Sequence, residues 1–186
     1  MQVLVSGGSK SGKSAYAQSL AKQLQNNSKL YYIATMLPSD NEDNKRIERH
    51  ICDRAGWGFI TIEQFYEIEE IIGKIELPAV VLVDSVTALL ANEMFKNGGY
   101  FENAAQKIII GLDRVMDAVS NLVIVSDYIY SDAYYFDEYT ENYRKSLADI
   151  DRFCAAKSHG VVEFVYGNKI IHKSSKEFLL EDGKIN

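Results

Sequence analysis

Short apolar runs alternate along the chain with stretches of helical spacing, the sequence form of a parallel sheet covered by helices. Strands are expected at Gln2–Ser6 and Lys29–Thr35, a short one at 58–62, then at Ala79–Asp84 and 122–127. The runs Val80-Val81-Leu82-Val83 and Leu122-Val123-Ile124-Val125 are apolar without alternation, as a strand buried on both faces requires. Helical spacing begins at Ala15 and ends near Leu24, and apolar positions Phe65, Ile68, Ile71, Ile72 and Ile75 predict a helix over 64–75. Two further helices, 87–96 and 102–119, are separated by the breaker Asn97-Gly98-Gly99, and a long one is expected over 137–156. Ser39 and Glu42 form a capping box after Pro38, so a helix should run from about Asp40 to Arg54. Strands 160–165 and 169–173, joined by Tyr166-Gly167-Asn168, read as a hairpin closing a mostly parallel sheet with an antiparallel edge.

The first strand runs directly into Gly7-Gly8-Ser9-Lys10-Ser11-Gly12-Lys13-Ser14, which fits G-x-x-x-x-G-K-[ST] at every fixed position. Successive backbone N–H groups in such a loop wrap a polyphosphate, and Gly7 and Gly12 supply the conformational freedom that wrapping needs. Lys13 is placed for the β- and γ-phosphates and Ser14 for Mg²⁺, while the helix that follows aims its positive end at the anion. Strand, loop and helix in this order predict nucleotide binding.

A length of 186 residues with 47% apolar content predicts a single P-loop nucleotide-binding domain over 1–186. The net charge of −6 and the lack of any long run of like charges argue against nucleic acid or an anionic membrane, leaving small molecules as partners. Nothing approaches the ~18 apolar residues of a membrane span, and there is no leader pattern, so a cytoplasmic chain is expected. Cys52 and Cys154 have no metal or redox spacing and are read as free thiols.

Two acids compete for the metal side of the site. Asp84 and Asp127 each close a buried apolar strand, where nucleotide-hydrolysing folds place the carboxylate that holds Mg²⁺. Strand pattern alone leaves them equal. Arg46, His50 and Arg54 recur every fourth residue and form one helical stripe beside Ile47 and Ile51. That stripe suits a phosphate chain, and it equally suits the solvated side of an amphipathic helix. The stretch 127–139 mixes Tyr, Phe and acids after a strand end, fitting either a wall for a planar substrate or a subunit contact.

With these pieces in place, the chain resembles the bifunctional adenosylcobinamide kinase/adenosylcobinamide-phosphate guanylyltransferase family. The resemblance rests on the phosphate loop, on Tyr32-Ile33-Ala34-Thr35 followed by Asp40, Glu42, Arg46-Ile47, His50 and Arg54, on Thr61 with Glu63, and on Val83-Asp84-Ser85-Val86-Thr87 with Asn92. It implies a RecA-like fold and a homotrimer. It also implies a two-step activity with ATP and GTP as substrates: phosphorylation of adenosylcobinamide by one of these nucleotides, then transfer of GMP from GTP to the new phosphate through a guanylylated histidine at the position of His50. Ala34, Thr35, Arg46, Arg54, Glu63 and Asp84 would then line the nucleotide site, with Ser14 and Asp84 on Mg²⁺. The chain departs from the family pattern at 127–135, where glycines and a proline are replaced by aromatic and acidic residues. It departs again at 143–151, where the asparagine position holds Asp151. A P-loop kinase for another alcohol and a non-catalytic nucleotide-binding regulator remain alternatives.

Overall fold

The computed structural model describes residues 1–38, 55–130 and 134–183. Strands β1 (Gln2–Gly7), β2 (Lys29–Ala34), β3 (Ile60–Glu63), β4 (Ala79–Asp84), β5 (Asn121–Asp127), β6 (Gly160–Val165) and β7 (Asn168–Lys173) form one seven-stranded sheet in the order β3-β2-β4-β5-β1-β6-β7. Every pairing is parallel except β6 with β7. Helices α1 (Lys13–Gln23), α2 (Val86–Met94), α3 (Ala104–Ala118), α4 (Glu138–Lys157) and α5 (Lys176–Asp182) cover it. Among the described residues no helix is long and apolar enough to cross a membrane.

The central strands bury both faces, which is why their sequences run apolar without alternation. Val3 and Val5 of β1, Val80 and Leu82 of β4, and Val123 and Val125 of β5 pack with Leu20 of α1, Leu24 just after it and Phe178 of α5. The alternate residues Leu4, Val81, Val83, Leu122 and Ile124 pack with Leu89 of α2, Leu112 of α3 and Leu147 of α4. Gly160 is required where it stands, because a Cβ there would come within 2.7 Å of the Phe178 ring.

Two elements differ from the sequence expectation. The helix expected over 64–75 is a shorter 3₁₀ helix, Ile68–Gly73. Gln64 donates its side-chain amide to the carbonyls of Tyr66 and Glu67, and Glu93 Oε1 accepts from the Glu67 amide at 2.7 Å. Side chains thus satisfy the backbone groups that would have begun an α-helix. Helix α5 is too short and too charged to show a clear period. Its surviving signal is Ser175, whose Oγ caps the Phe178 amide at 3.1 Å. The hairpin is present, with Tyr166 (φ 49°) and Gly167 (φ 79°) both left-handed at its turn.

Strand order decides what meets at the carboxyl edge. β5 lies between β1 and β4, so Gly7 is level with Asp127, and Asp84 is one strand further on, beside Val125 and Ala34. Glu63 is in turn level with Ala34.

Candidate active site

Gly12 caps α1 in a left-handed conformation (φ 96°), so the chain turns from β1 into the helix with Lys13 as its first residue. Gly7 lies against β6, where a Cβ would come within 2.6 Å of the Phe164 carbonyl oxygen. Phe164 also packs on Tyr16 of α1, ring centroids 5.1 Å apart. The loop formed by Gly7, Gly8, Ser9, Lys10, Ser11 and Gly12 is therefore held between strand and helix from one side. Ser11 Oγ within it is buried and has no hydrogen-bond partner among the described residues.

Lys13 is buried, and its Nζ pairs with Asp127 Oδ1 at 2.7 Å and donates to the Gly8 carbonyl at 3.1 Å. A cavity of about 510 Å³ opens beside it, lined by Lys13, Ser14, Ala34, Glu63, Asp84 and Asp127 among others. The sequence-level rivalry between Asp84 and Asp127 resolves into two acids in one cavity. Asp84 Oδ2 accepts from the Tyr32 hydroxyl at 2.8 Å, while Asp127 takes the lysine.

Thr35 is buried one residue beyond β2. It donates from Oγ1 to the Ser85 carbonyl at 2.7 Å and accepts from the Ser85 amide at 2.8 Å. Asn92 of α2 donates to the carbonyls of Thr35 (2.7 Å) and Phe65 (3.0 Å), clamping the ends of β2 and β3 into the cavity wall. The Asp127 amide donates to Thr87 Oγ1 at 2.8 Å, and Tyr143 of α4 donates to the Thr87 carbonyl at 2.8 Å. Burial, with the charge of Asp127 adding to it, holds the Tyr143 phenol above its ordinary range. Asp151 lies deeper under β5, where its Oδ2 accepts from Ser126 and Tyr130, each at 2.9 Å.

Arg46, His50 and Arg54, with the whole helix expected over 40–54, lie outside the described residues. Among the described residues of the aromatic stretch 127–139, only Asp127 lines the cavity. Tyr128 and Tyr130 pack edge to face at 4.8 Å and line a separate cleft of about 190 Å³ with Asp151, Glu163 and His172. Tyr134 and Tyr135 are exposed, at 74% and 93%. Tyr32 and Thr87 enter the site through hydrogen bonds to the two acids, contacts that need the strand order and leave no signal in one strand's pattern.

Among the described residues no group of three or more His, Cys, Asp or Glu side chains is arranged to hold a metal ion. One carboxylate and one hydroxyl, Asp84 and Ser14, nevertheless line the same cavity. That set fits Mg²⁺ delivered on phosphates, because Mg²⁺ keeps several waters and takes only one or two protein ligands at such sites.

The family model for cobinamide kinase / cobinamide phosphate guanyltransferase matches residues 3–171 of this chain. The chain belongs to this family. The bifunctional adenosylcobalamin biosynthesis protein CobU of Escherichia coli (strain K12) is 38% identical over 101 residues, 53% of this chain and 53% of that protein. The chain thus aligns with about half of that curated relative's length (53%). Flagellar accessory protein FlaH of Methanocaldococcus jannaschii aligns with a TM-score of 0.49 at 14% identity, over 94% of this chain and 78% of that one.

Proposed function

We propose that this chain is a cobalamin-biosynthesis transferase that phosphorylates adenosylcobinamide with ATP and then transfers GMP from GTP to the phosphate it has made. The observation that carries the reading is the meeting of Lys13, Ser14, Asp84 and Asp127 around one cavity at the carboxyl edge of the sheet, in a member of this family. Gly7, Gly8, Ser9, Lys10, Ser11 and Gly12 supply the backbone cradle, and Lys13 meets the charge that grows on the transferring phosphoryl group. Ser14 and Asp84 would hold Mg²⁺, which offsets negative charge on the phosphate oxygens. Ala34, Thr35 and Glu63 line or brace the wall where the second substrate enters, with Glu63 suited to accept hydrogen bonds from a base or ribose. His50 is the nucleophile of the second step, flanked by Arg46 and Arg54, since a neutral imidazole attacks the α-phosphorus readily and the arginines neutralise its oxygens. The chain acts as one P-loop domain, as a homotrimer, in the cytoplasm.

Intact-mass analysis after incubation with GTP and Mg²⁺ tests the nucleophile. The parent is expected to carry an acid-labile GMP adduct and His50→Asn none, while His50→Asn still phosphorylates the corrinoid. A parent without adduct, or an adduct that survives in His50→Asn, contradicts the assignment of His50.

A further inference from the structure

Lys13 is already occupied. Its ammonium has Asp127 Oδ1 at 2.7 Å and the Gly8 carbonyl at 3.1 Å, with the lysine side chain 8% exposed and that of Asp127 25% exposed. A phosphate arriving on the loop must therefore compete with a carboxylate for the same cation. Asp127 itself is anchored independently of the lysine. Its amide is held by Thr87 Oγ1 at 2.8 Å, the Tyr128 amide donates to the Gly7 carbonyl at 3.2 Å, and Ser126 is tied to Asp151 at 2.9 Å. When the lysine turns to a nucleotide, the backbone of Asp127 stays where it is. Its carboxylate is left in the wall of the cavity that Lys13 and Ser14 also line, with its cation gone. Asp84 is a poor rival for that role, because its Oδ2 holds the Tyr32 hydroxyl at 2.8 Å and the cavity also offers it Ser14 as a partner for a phosphate-bound cation.

We propose that Asp127 holds Lys13 in the empty site and, once nucleotide phosphates draw the ammonium away, accepts the proton of the acceptor hydroxyl. The proton step rests on the phosphoryl-transfer reading above; the exchange of partners at Lys13 needs only nucleotide binding. In the step, the alcohol oxygen forms a bond to the γ-phosphorus as its O–H bond breaks, and the proton passes to an Asp127 carboxylate oxygen. The bond from the γ-phosphorus to the bridging oxygen breaks, and ADP leaves with that electron pair. The Asp127 proton returns to water when the site opens. A positioned carboxylate in this role contributes about 10²- to 10⁴-fold to rate.

The test is a binding cycle and a rate. ATP affinity is measured by calorimetry, without acceptor, for the parent, Asp127→Asn, Lys13→Ala and the double variant; turnover of adenosylcobinamide is measured at saturating ATP. Asp127→Asn is expected to bind ATP about tenfold more tightly than the parent, because Lys13 no longer has to leave a carboxylate, and to turn over about a hundredfold more slowly. In the Lys13→Ala background the same substitution should leave ATP affinity unchanged, which separates loss of the ion pair from a general loss of negative charge. Circular dichroism and the unfolding midpoint check that each variant keeps the parent's fold before its affinity and rate are compared. Unchanged or weaker ATP binding by Asp127→Asn overturns the exchange, and turnover within threefold of the parent overturns the proton transfer. A parent that binds ATP and phosphorylates no corrinoid overturns the proposed function and the proton step together, while the affinity cycle still decides the exchange.

Discussion

Lys13→Ala is expected to slow phosphoryl transfer by about a hundredfold or more, with the loss in kcat exceeding any rise in KM for the nucleotide. Removing one group that stabilises transition-state charge in a water-poor site costs about 3 kcal/mol, and each ~1.4 kcal/mol is a factor of ten in rate. Lys13 fits that description: it is buried, it begins α1, and it lines the cavity beside the loop. The fold should survive, because the Asp127 side chain left behind is 25% exposed and water can take the place of the ammonium. Circular dichroism and the unfolding midpoint serve as the control, and a rate within tenfold of the parent contradicts the role given to Lys13.

Asp151→Asn is expected to change the pH dependence of stability. Burial pushes the Asp151 carboxyl up to about 6; the Ser126 and Tyr130 hydroxyls pull against the shift, and the charge of Asp127 adds to it. The folded chain therefore holds this proton more tightly than the unfolded chain does. Below the ordinary carboxylate pKa the group is protonated in both states and contributes no difference. As pH rises through the interval up to about 6, folding becomes progressively less favourable, and above it the full cost of a buried charge remains. The scale is about 3 kcal/mol, and asparagine at this position does not titrate. Urea unfolding at about pH 4 and about pH 8 should show the stability of Asp151→Asn relative to the parent improving toward the higher pH, by up to about that amount. A difference that does not change with pH contradicts the assignment. Asparagine leaves the Ser126 and Tyr130 hydroxyls an acceptor, so the contrast between the two pH values isolates the charge.

The sheet was legible because its strands are buried on both faces. Val80–Val83 and Leu122–Val125 have no polar alternation to confuse with a surface element, and all four residues of each run are buried. The hairpin was legible for a different reason, since Gly167 supplies a left-handed position the turn needs. The 3₁₀ segment was not, because Gln64 and Glu93 bond to the backbone of Tyr66 and Glu67 just before it, contacts outside the periodic pattern. In the site, the loop from Gly7 to Ser14 could be read from spacing alone. The Lys13–Asp127 pair could not, because it exists only through the placement of β5 beside β1, and strand order has no signature in either strand. The same placement explains why Asp84 and Asp127 looked equivalent in sequence yet have different partners. The aromatic stretch after β5 suggested a wall for the substrate or a subunit contact equally; Tyr128 and Tyr130 line the second cleft, and Tyr134 and Tyr135 are exposed.

The most direct measurement incubates the purified protein with adenosylcobinamide, ATP, GTP and Mg²⁺ and separates the corrinoid products by liquid chromatography and mass spectrometry. A phosphorylated corrinoid is expected first and a guanylylated corrinoid after it, with the second product requiring GTP. Nucleotide binding without either product would contradict the proposed function.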